Sequence, residues 1–220
     1  IRFFDERISL MKKIAVIDYG MSNLHSVIKS FQKASDKRYK LCVVTSEKNL
    51  KDASMIILPG QGAAKSCMQK LSENFPNLPE FILNKPFFGI CLGFQILFEK
   101  SFEDDGVNCL SIIEGSVNDF RKQISEDLKV PHMGWNNVEQ KNDHAIWNNI
   151  PRKSFFYFVH SYYALAKSEE NISSITKYDI NFTSSVIKDN LFACQFHPEK
   201  SSKYGLQLIS NFINWSESLQ

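Results

Sequence analysis

The N-terminal half of the chain alternates short apolar runs with stretches of helical periodicity, and this alternation restricts the fold more than any single motif does. Residues 13–17 (Lys-Ile-Ala-Val-Ile), 41–44, 54–58 and 87–90 are of strand length and almost wholly apolar. Such runs read as strands buried on both faces rather than on one. Between the first two, residues 18–21 read as a turn and Ser22-Asn23 as a helix cap, after which Leu24, Val27, Ile28 and Phe31 recur at helical spacing. Repetition of this unit implies βαβ connections and a parallel sheet, whose sites form at the C-terminal ends of the strands. The second half is richer in extended segments, including 109–113 and 155–163, before a final helix with Leu206, Ile209 and Ile213 on one face. The expected architecture is therefore α/β: a mostly parallel sheet flanked by helices, with an additional antiparallel strand region. No repeat, low-complexity segment or Pro/Gly/Ser linker divides residues 11–220, while residues 1–10 read as an N-terminal extension that is disordered.

Two of the strands end in reactive residues. Cys91 closes the apolar run 86–90 and precedes Leu92-Gly-Phe-Gln-Ile-Leu-Phe98, which reads as the first turns of a helix. It thus sits on a strand-to-helix turn, with Gly89 and Gly93 two residues to either side, the spacing of a nucleophile elbow. Backbone amides at a helix start favour a thiolate, and the Leu92 amide can help to bind a developing oxyanion. Far downstream, Leu191-Phe-Ala-Cys-Gln-Phe196 reads as a strand that stops at His197-Pro198, with Glu199 next. Alternate residues of an extended chain point the same way, so His197 and Glu199 can face one site. Each piece alone also fits a plainer reading, a structural cysteine between glycines or a surface His-Pro-Glu turn. Together they supply a nucleophile, a base and an orienting acid for acyl transfer. Pro59-Gly-Gln-Gly62 adds a glycine-rich turn that can bring amides to a ligand, although an ordinary strand-to-helix loop fits its composition as well.

These residues resemble the class I glutamine amidotransferases, whose triad is a Cys in Gly-x-Cys-x-Gly and a His-Pro-Glu near the C-terminus. The pattern is complete at Cys91, His197 and Glu199. The resemblance implies a flavodoxin-like sheet, makes residues 11–220 a type 1 glutamine amidotransferase domain, and implies hydrolysis of glutamine to glutamate and ammonia through a cysteinyl thioester. Within the family, Pro59-Gly-Gln-Gly62 is similar to the oxyanion strand of the glutaminase subunits of imidazole glycerol phosphate synthase. Those subunits also carry Pro131-His-Met-Gly-Trp-Asn136, Phe158-Val-His-Ser-Tyr162 and Phe196-His-Pro-Glu-Lys-Ser201. The Pro-His-Met-Gly-Trp-Asn run is the most discriminating, setting the chain apart from the glutaminases of pyridoxal phosphate, purine and anthranilate synthesis. By this resemblance Gly60, Gln61, Gly62, Leu92, Ser161 and Tyr162 surround the oxyanion and substrate, and Gln95 and Glu103 contact the glutamine, Glu103 through its α-ammonium. Asn23, Trp135, Tyr157 and Lys200 match positions at a subunit contact. The implied partner is a separate cyclase subunit, a (β/α)8 barrel, that uses the ammonia in histidine biosynthesis as one half of a heterodimer. Gln61 departs from the aliphatic residue common at its position, and Ser22 from Gly or Ala, which touches loop flexibility and not chemistry.

Composition bounds the alternatives. The chain's 220 residues suffice for one large core, and 43% apolar with 13% aromatic residues argue against disorder. A formal charge of +2 without a long basic block points to neither nucleic acid nor a membrane surface. No apolar stretch is long enough for a bilayer helix, and the acidic residues near the start do not suit a signal peptide, so a cytoplasmic location is expected. Five cysteines without CxxC spacing and five scattered histidines suggest no disulfide framework, metal or other cofactor. Three alternatives remain: a paralogous glutaminase feeding a surface-sugar amidation enzyme, a cysteine peptidase on a similar fold, and a non-catalytic docking module.

Overall fold

The apolar runs 13–17, 54–58 and 87–90 pair as buried parallel strands, whereas 41–44, expected to be buried as well, forms the edge of the sheet, with Val44 buried but Val43 48% exposed. A computed structural model of the chain describes residues 11–20 and 24–219. The first half comprises β1 (Lys13–Ile17), α1 (Leu24–Ala34), β2 (Lys40–Val44), β3 (Ala53–Gly60), α2 (Ala64–Asn74), α3 (Leu78–Asn84), β4 (Phe87–Cys91) and the single turn α4 (Leu92–Gln95). The second half comprises β5 (Lys100–Ser101), β6 (Val107–Asn108), β7 (Gly115–Asp119), β8 (His132–Gln140), β9 (Ser154–His160), β10 (Tyr162–Ala166), β11 (Ile172–Tyr178), β12 (Ile180–Lys188), β13 (Leu191–Cys194) and α5 (Ser202–Ser218). Among the described residues the strands join in one sheet. Its parallel block runs β2-β1-β3-β4-β13, and from β13 the antiparallel strands β12, β10 and β7 continue it. The β8–β9 hairpin joins through β11.

Side-chain parity explains why the parallel strands are apolar throughout. Ile14 and Val16 of β1, Phe88 and Ile90 of β4, and Phe192 of β13 pack on one face, in the core shared with Phe31 of α1 and Phe212 of α5. Ala15 and Ile17, Ile56 and Leu58, and Phe87 pack on the other, against Leu71 of α2 and Leu78 and Ile82 of α3. Both faces are covered by helices, so neither set of alternate positions can be polar. The final helix presents Ile209 and Ile213 to the core as its spacing predicts, with Leu206 half-buried at the margin. Among the described residues no helix is long and apolar enough to cross a membrane.

Several local expectations are corrected. Residues 109–113 form no strand, since β6 ends at Asn108. Their amides turn onto the end of α4, Leu110 donating to the Ile96 carbonyl and Ile112 and Ile113 to that of Leu97, each at 2.9 Å. The same contacts stop α4 after one turn, because the carbonyls of residues 96–98 serve this loop instead of a further helical turn. The run 155–163 is split at Ser161 into β9 and β10, which pair with different neighbours. The turn after β1 is present through Gly20, whose φ of +85° accompanies an N–H bond to Asp18 Oδ1 at 2.7 Å. Met21, the cap pair Ser22-Asn23 and the extension 1–10 lie outside the described residues.

Candidate active site

The elbow is built from strands that leave it little room. Cys91 ends β4 with φ +55° and ψ −107°, a backbone state that ordinary residues avoid. The next turn, α4, lies so close to β3 that a Cβ on Gly93 would stand 1.9 Å from the Leu58 carbonyl oxygen, so only glycine fits there. Gly60 pairs in register with Cys91 at the parallel end of β3, which carries the Gly60-Gln61-Gly62 turn to the nucleophile.

β13 lies on the other side of β4, with Cys194 opposite Ile90. The chain beyond it therefore runs past Cys91, and His197 arrives there almost wholly buried. Glu199 does not continue an extended strand, as the expectation from alternation required. Residues Pro198–Lys200 make a 3-10 turn that folds the carboxylate back under the ring, with His197 Nδ1 and Glu199 Oε1 2.8 Å apart. Both side chains are 4% exposed. Because the carboxylate accepts from Nδ1–H, the other ring nitrogen is the one left for chemistry. Nε2 is buried and takes no other hydrogen-bond partner among the described residues. Burial alone would lower the His197 pKa, but the Cys91 sulfur and the Glu199 carboxylate outweigh it and hold the pKa up at about 10. The ring is thus kept as an imidazolium beside the sulfur.

A cavity of about 450 Å³ opens over Cys91, and Gln61, Gly62, Leu92, Gln95, Glu103, Ser161, Tyr162, His197 and Lys200 all line it. Glu103 reaches it from the loop after β5 and accepts the Ala64 amide at the start of α2 at 2.6 Å. Burial raises its pKa, with the Ala64 bond opposing and Asp104 reinforcing the rise. Gln95 is buried, and its Nε2 donates to the Tyr162 carbonyl and to Gln195 Oε1, each at 2.9 Å. Only its Oε1 remains for a bound molecule. The Gln61 amide is not free either, since it donates to Tyr19 Oη at 3.2 Å. Tyr162 is held at the rim by Arg121, whose Nη2 donates to the phenol oxygen at 3.1 Å.

The remaining expected residues lie beside the cavity. Trp135 is half exposed on β8, directly opposite Tyr157 on β9, and the rings meet edge-on at 6.2 Å. The Lys200 ammonium lies 5.9 Å from the Tyr157 ring, so Tyr157 belongs to this outer face and not to the core. Asn23 lies outside the described residues. Sequence reasoning gave no role to Gln195 and His132, which stand behind the cavity, or to His160, which lines it. The parity of β13 was the available signal for Gln195, because alternation puts it on the same side as His197.

Glutamine amidotransferase class-I is the family whose pattern matches the chain, over residues 15–215. A protein of Hydrogenovibrio crunogenus described as imidazole glycerol phosphate synthase subunit HisH is 45% identical over 209 residues, covering 93% of this chain and 97% of its own length. The protein of the same description from Nitrosococcus oceani is 43% identical, over 94% of this chain and 99% of its own. Among solved structures, PurLQS from Thermotoga maritima superposes with a TM-score of 0.68 at 17% identity, over 94% of this chain and 99% of that one. That likeness bears on the fold alone. With the family pattern spanning the sheet and the elbow, and HisH relatives matching end to end, the chain belongs to the class-I glutamine amidotransferase family, in the branch of these HisH subunits.

Proposed function

We propose that this chain is the glutaminase subunit of an imidazole glycerol phosphate synthase, hydrolysing glutamine in the cytoplasm and passing ammonia to a separate cyclase subunit. The observation that carries the reading is the buried Glu199–His197 pair beside Cys91 at the floor of the cavity. Cys91 Sγ, as thiolate, attacks the glutamine carboxamide carbon, and the oxygen takes up the negative charge near the Leu92 amide. The His197 imidazolium gives its Nε2 proton to the departing nitrogen, and ammonia leaves. Water, losing a proton to the now neutral His197, cleaves the γ-glutamyl thioester, so glutamate is released and the thiolate–imidazolium pair is restored. Glu199 holds the ring orientation throughout.

The cavity wall suits glutamine. Gln95 Oε1 and the free oxygen of Glu103 are acceptors, which fits an amide NH2 or an α-ammonium and not a second carboxylate. A cysteine peptidase has no need of these acceptors. The cyclase partner is supported by the apolar face beside the cavity, where Met133 and Trp135 stand exposed. The test is glutamate release with and without a cyclase subunit and its ribonucleotide ligand. Stimulated release that Cys91→Ala abolishes, while added ammonia still supports the cyclase, is the expected result. Cys91-dependent release indifferent to that cyclase would redirect the ammonia to another acceptor, such as a sugar-amidating enzyme.

A further inference from the structure

We infer that Gln195 is a further catalytic residue, its side-chain N–H held against the Cys91 sulfur, and that His160 and His132 are positioning residues that fix this donor. The inference rests on Cys91 being the nucleophile of the proposed glutaminase.

Gln195 is fully buried, with Nε2 3.6 Å from Cys91 Sγ. Which end of its amide faces the sulfur follows from a backbone carbonyl two bonds away. The Tyr162 oxygen can only accept, so the Gln95 atom bonded to it is the NH2 group. The second hydrogen of that NH2 goes to Gln195, which must present its oxygen there and hence its own NH2 to Cys91. A flipped Gln195 would set two NH2 groups face to face and turn its oxygen toward the sulfur.

The same carbonyl fixes the histidines. His160 Nδ1 lies 2.7 Å from the Tyr162 oxygen and must carry the proton, which makes His160 Nε2 an acceptor. His132 Nδ1, 2.9 Å away, then donates to it, and His132 Nε2 accepts from Asn136 Nδ2 at 3.1 Å. Asn136 is oriented independently, because its Nδ2 donates to the Lys177 carbonyl and its Oδ1 accepts the Asn137 amide. The chain Asn136, His132, His160, Tyr162 carbonyl, Gln95, Gln195, Cys91 is thus consistent from both ends, with both rings neutral. Burial keeps them so, at pKa values of about 4 for His132 and about 3 for His160. A donor held on the sulfur favours thiolate over thiol and fixes the side chain for attack.

The test is the pH dependence of Cys91 alkylation by iodoacetamide on the full chain, read by mass spectrometry, beside kcat and KM for glutamine. Gln195→Met keeps the shape and removes the donor. The charged and titratable groups around the sulfur, His197, Glu199, Cys194, Glu103, Lys200 and His160, are all retained in it. We expect the alkylation midpoint to rise by about one pH unit, kcat to fall about tenfold and KM to change less than about twofold. His160→Phe, which keeps a ring among Phe120, Phe158 and Phe182, should shift the midpoint the same way by less. His160→Asn, which retains a donor for the Tyr162 carbonyl, should restore part of it. An unchanged midpoint in folded Gln195→Met, or a rise in KM alone, overturns the inference; if that variant does not fold, an unchanged midpoint in His160→Phe does so. Alkylation needs no turnover, so a shifted midpoint in a chain that never releases glutamate would sink the glutaminase reading and leave the donor standing.

Discussion

At the scale of single residues the site is a set of groups each kept from an alternative use. Glu199 occupies one nitrogen of His197, so the proton available to a leaving group sits on the other. Gln95 spends both amide hydrogens on protein oxygens and offers only an acceptor. Glu199→Gln is therefore the substitution that separates ring orientation from ring presence. It leaves His197 in place but exchanges an acceptor-only carboxylate for an amide that can also turn its NH2 to Nδ1, so the tautomer is no longer fixed, and by the general behaviour of such triads kcat should fall on the order of 10³–10⁴-fold with KM little changed. Steady-state kinetics check this, and a loss below about tenfold would demote the carboxylate to packing. Gly93 makes the complementary point about the backbone. Gly93→Ala meets the Leu58 oxygen and should cost more than about 3 kcal/mol, read as a lowered denaturation midpoint. Cys91, Gly93, His197 and Glu199 were all legible because their spacing is local. Gln195 was not assigned a role, because its partner is a side chain on the adjacent strand rather than anything near it in the sequence.

Elements explain which parts of the fold could be read and which could not. β2, at the sheet edge, is apolar without being so buried, but β1, β3 and β4 were plain because burial on two faces leaves no polar alternation to confuse them. Residues 109–113 misled for the same reason, since Ile112 and Ile113 are buried by packing over the end of α4 and not by strand pairing. The β8–β9 hairpin has a property that no periodicity announces: its register sets His132 opposite His160 in an aromatic setting that includes Tyr178, stacked on His132 at 4.1 Å. Both histidines are neutral in the fold down to pKa values of about 4 and about 3, whereas in an unfolded chain they take up protons near the ordinary 6.5. Stability contributed by the neutral pair is thus present above pH 6.5 and lost as pH falls toward 4 and below. Its slope approaches about 1.4 kcal/mol per pH unit for each histidine. Urea unfolding between pH 7 and 4 should show this slope, and His132→Phe should remove one proton's share. On the Gly60-Gln61-Gly62 turn, Tyr19→Phe releases the Gln61 amide from a neutral hydrogen bond of about 1 kcal/mol. Glutamate release without a partner should then rise several-fold.

For the whole molecule, the question is where an assembly partner would sit. Alternation along β8 and β9 turns His132, Phe156, Phe158 and His160 inward and sets Met133, Trp135, Phe155 and Tyr157 on the outside. Met133 is 62%, Trp135 51% and Phe155 54% exposed, a cluster of large apolar groups that a solitary chain has no reason to display. The same face is continuous with the cavity: Val159 and Lys200 line its mouth, Met133 pairs with Val159, and the Lys200 ammonium caps Tyr157. A partner covering this face would also close the mouth above Cys91, so ammonia released there would enter the partner rather than water, where it would be protonated and lose its nucleophilicity. Trp135 is the natural anchor, being the largest exposed ring and buttressed edge-on by Tyr157. Trp135→Ala should weaken association with the proposed cyclase subunit by about 1–4 kcal/mol, roughly 5- to 1000-fold in Kd, measured by calorimetry. Because Trp135 is absent from the cavity wall, alkylation of Cys91 by iodoacetamide should be unchanged in the same variant. An unchanged Kd would move the partner to another surface, whereas a weakened Kd with altered alkylation would mean that the substitution disturbs the hairpin and, through His132 and His160, the nucleophile itself.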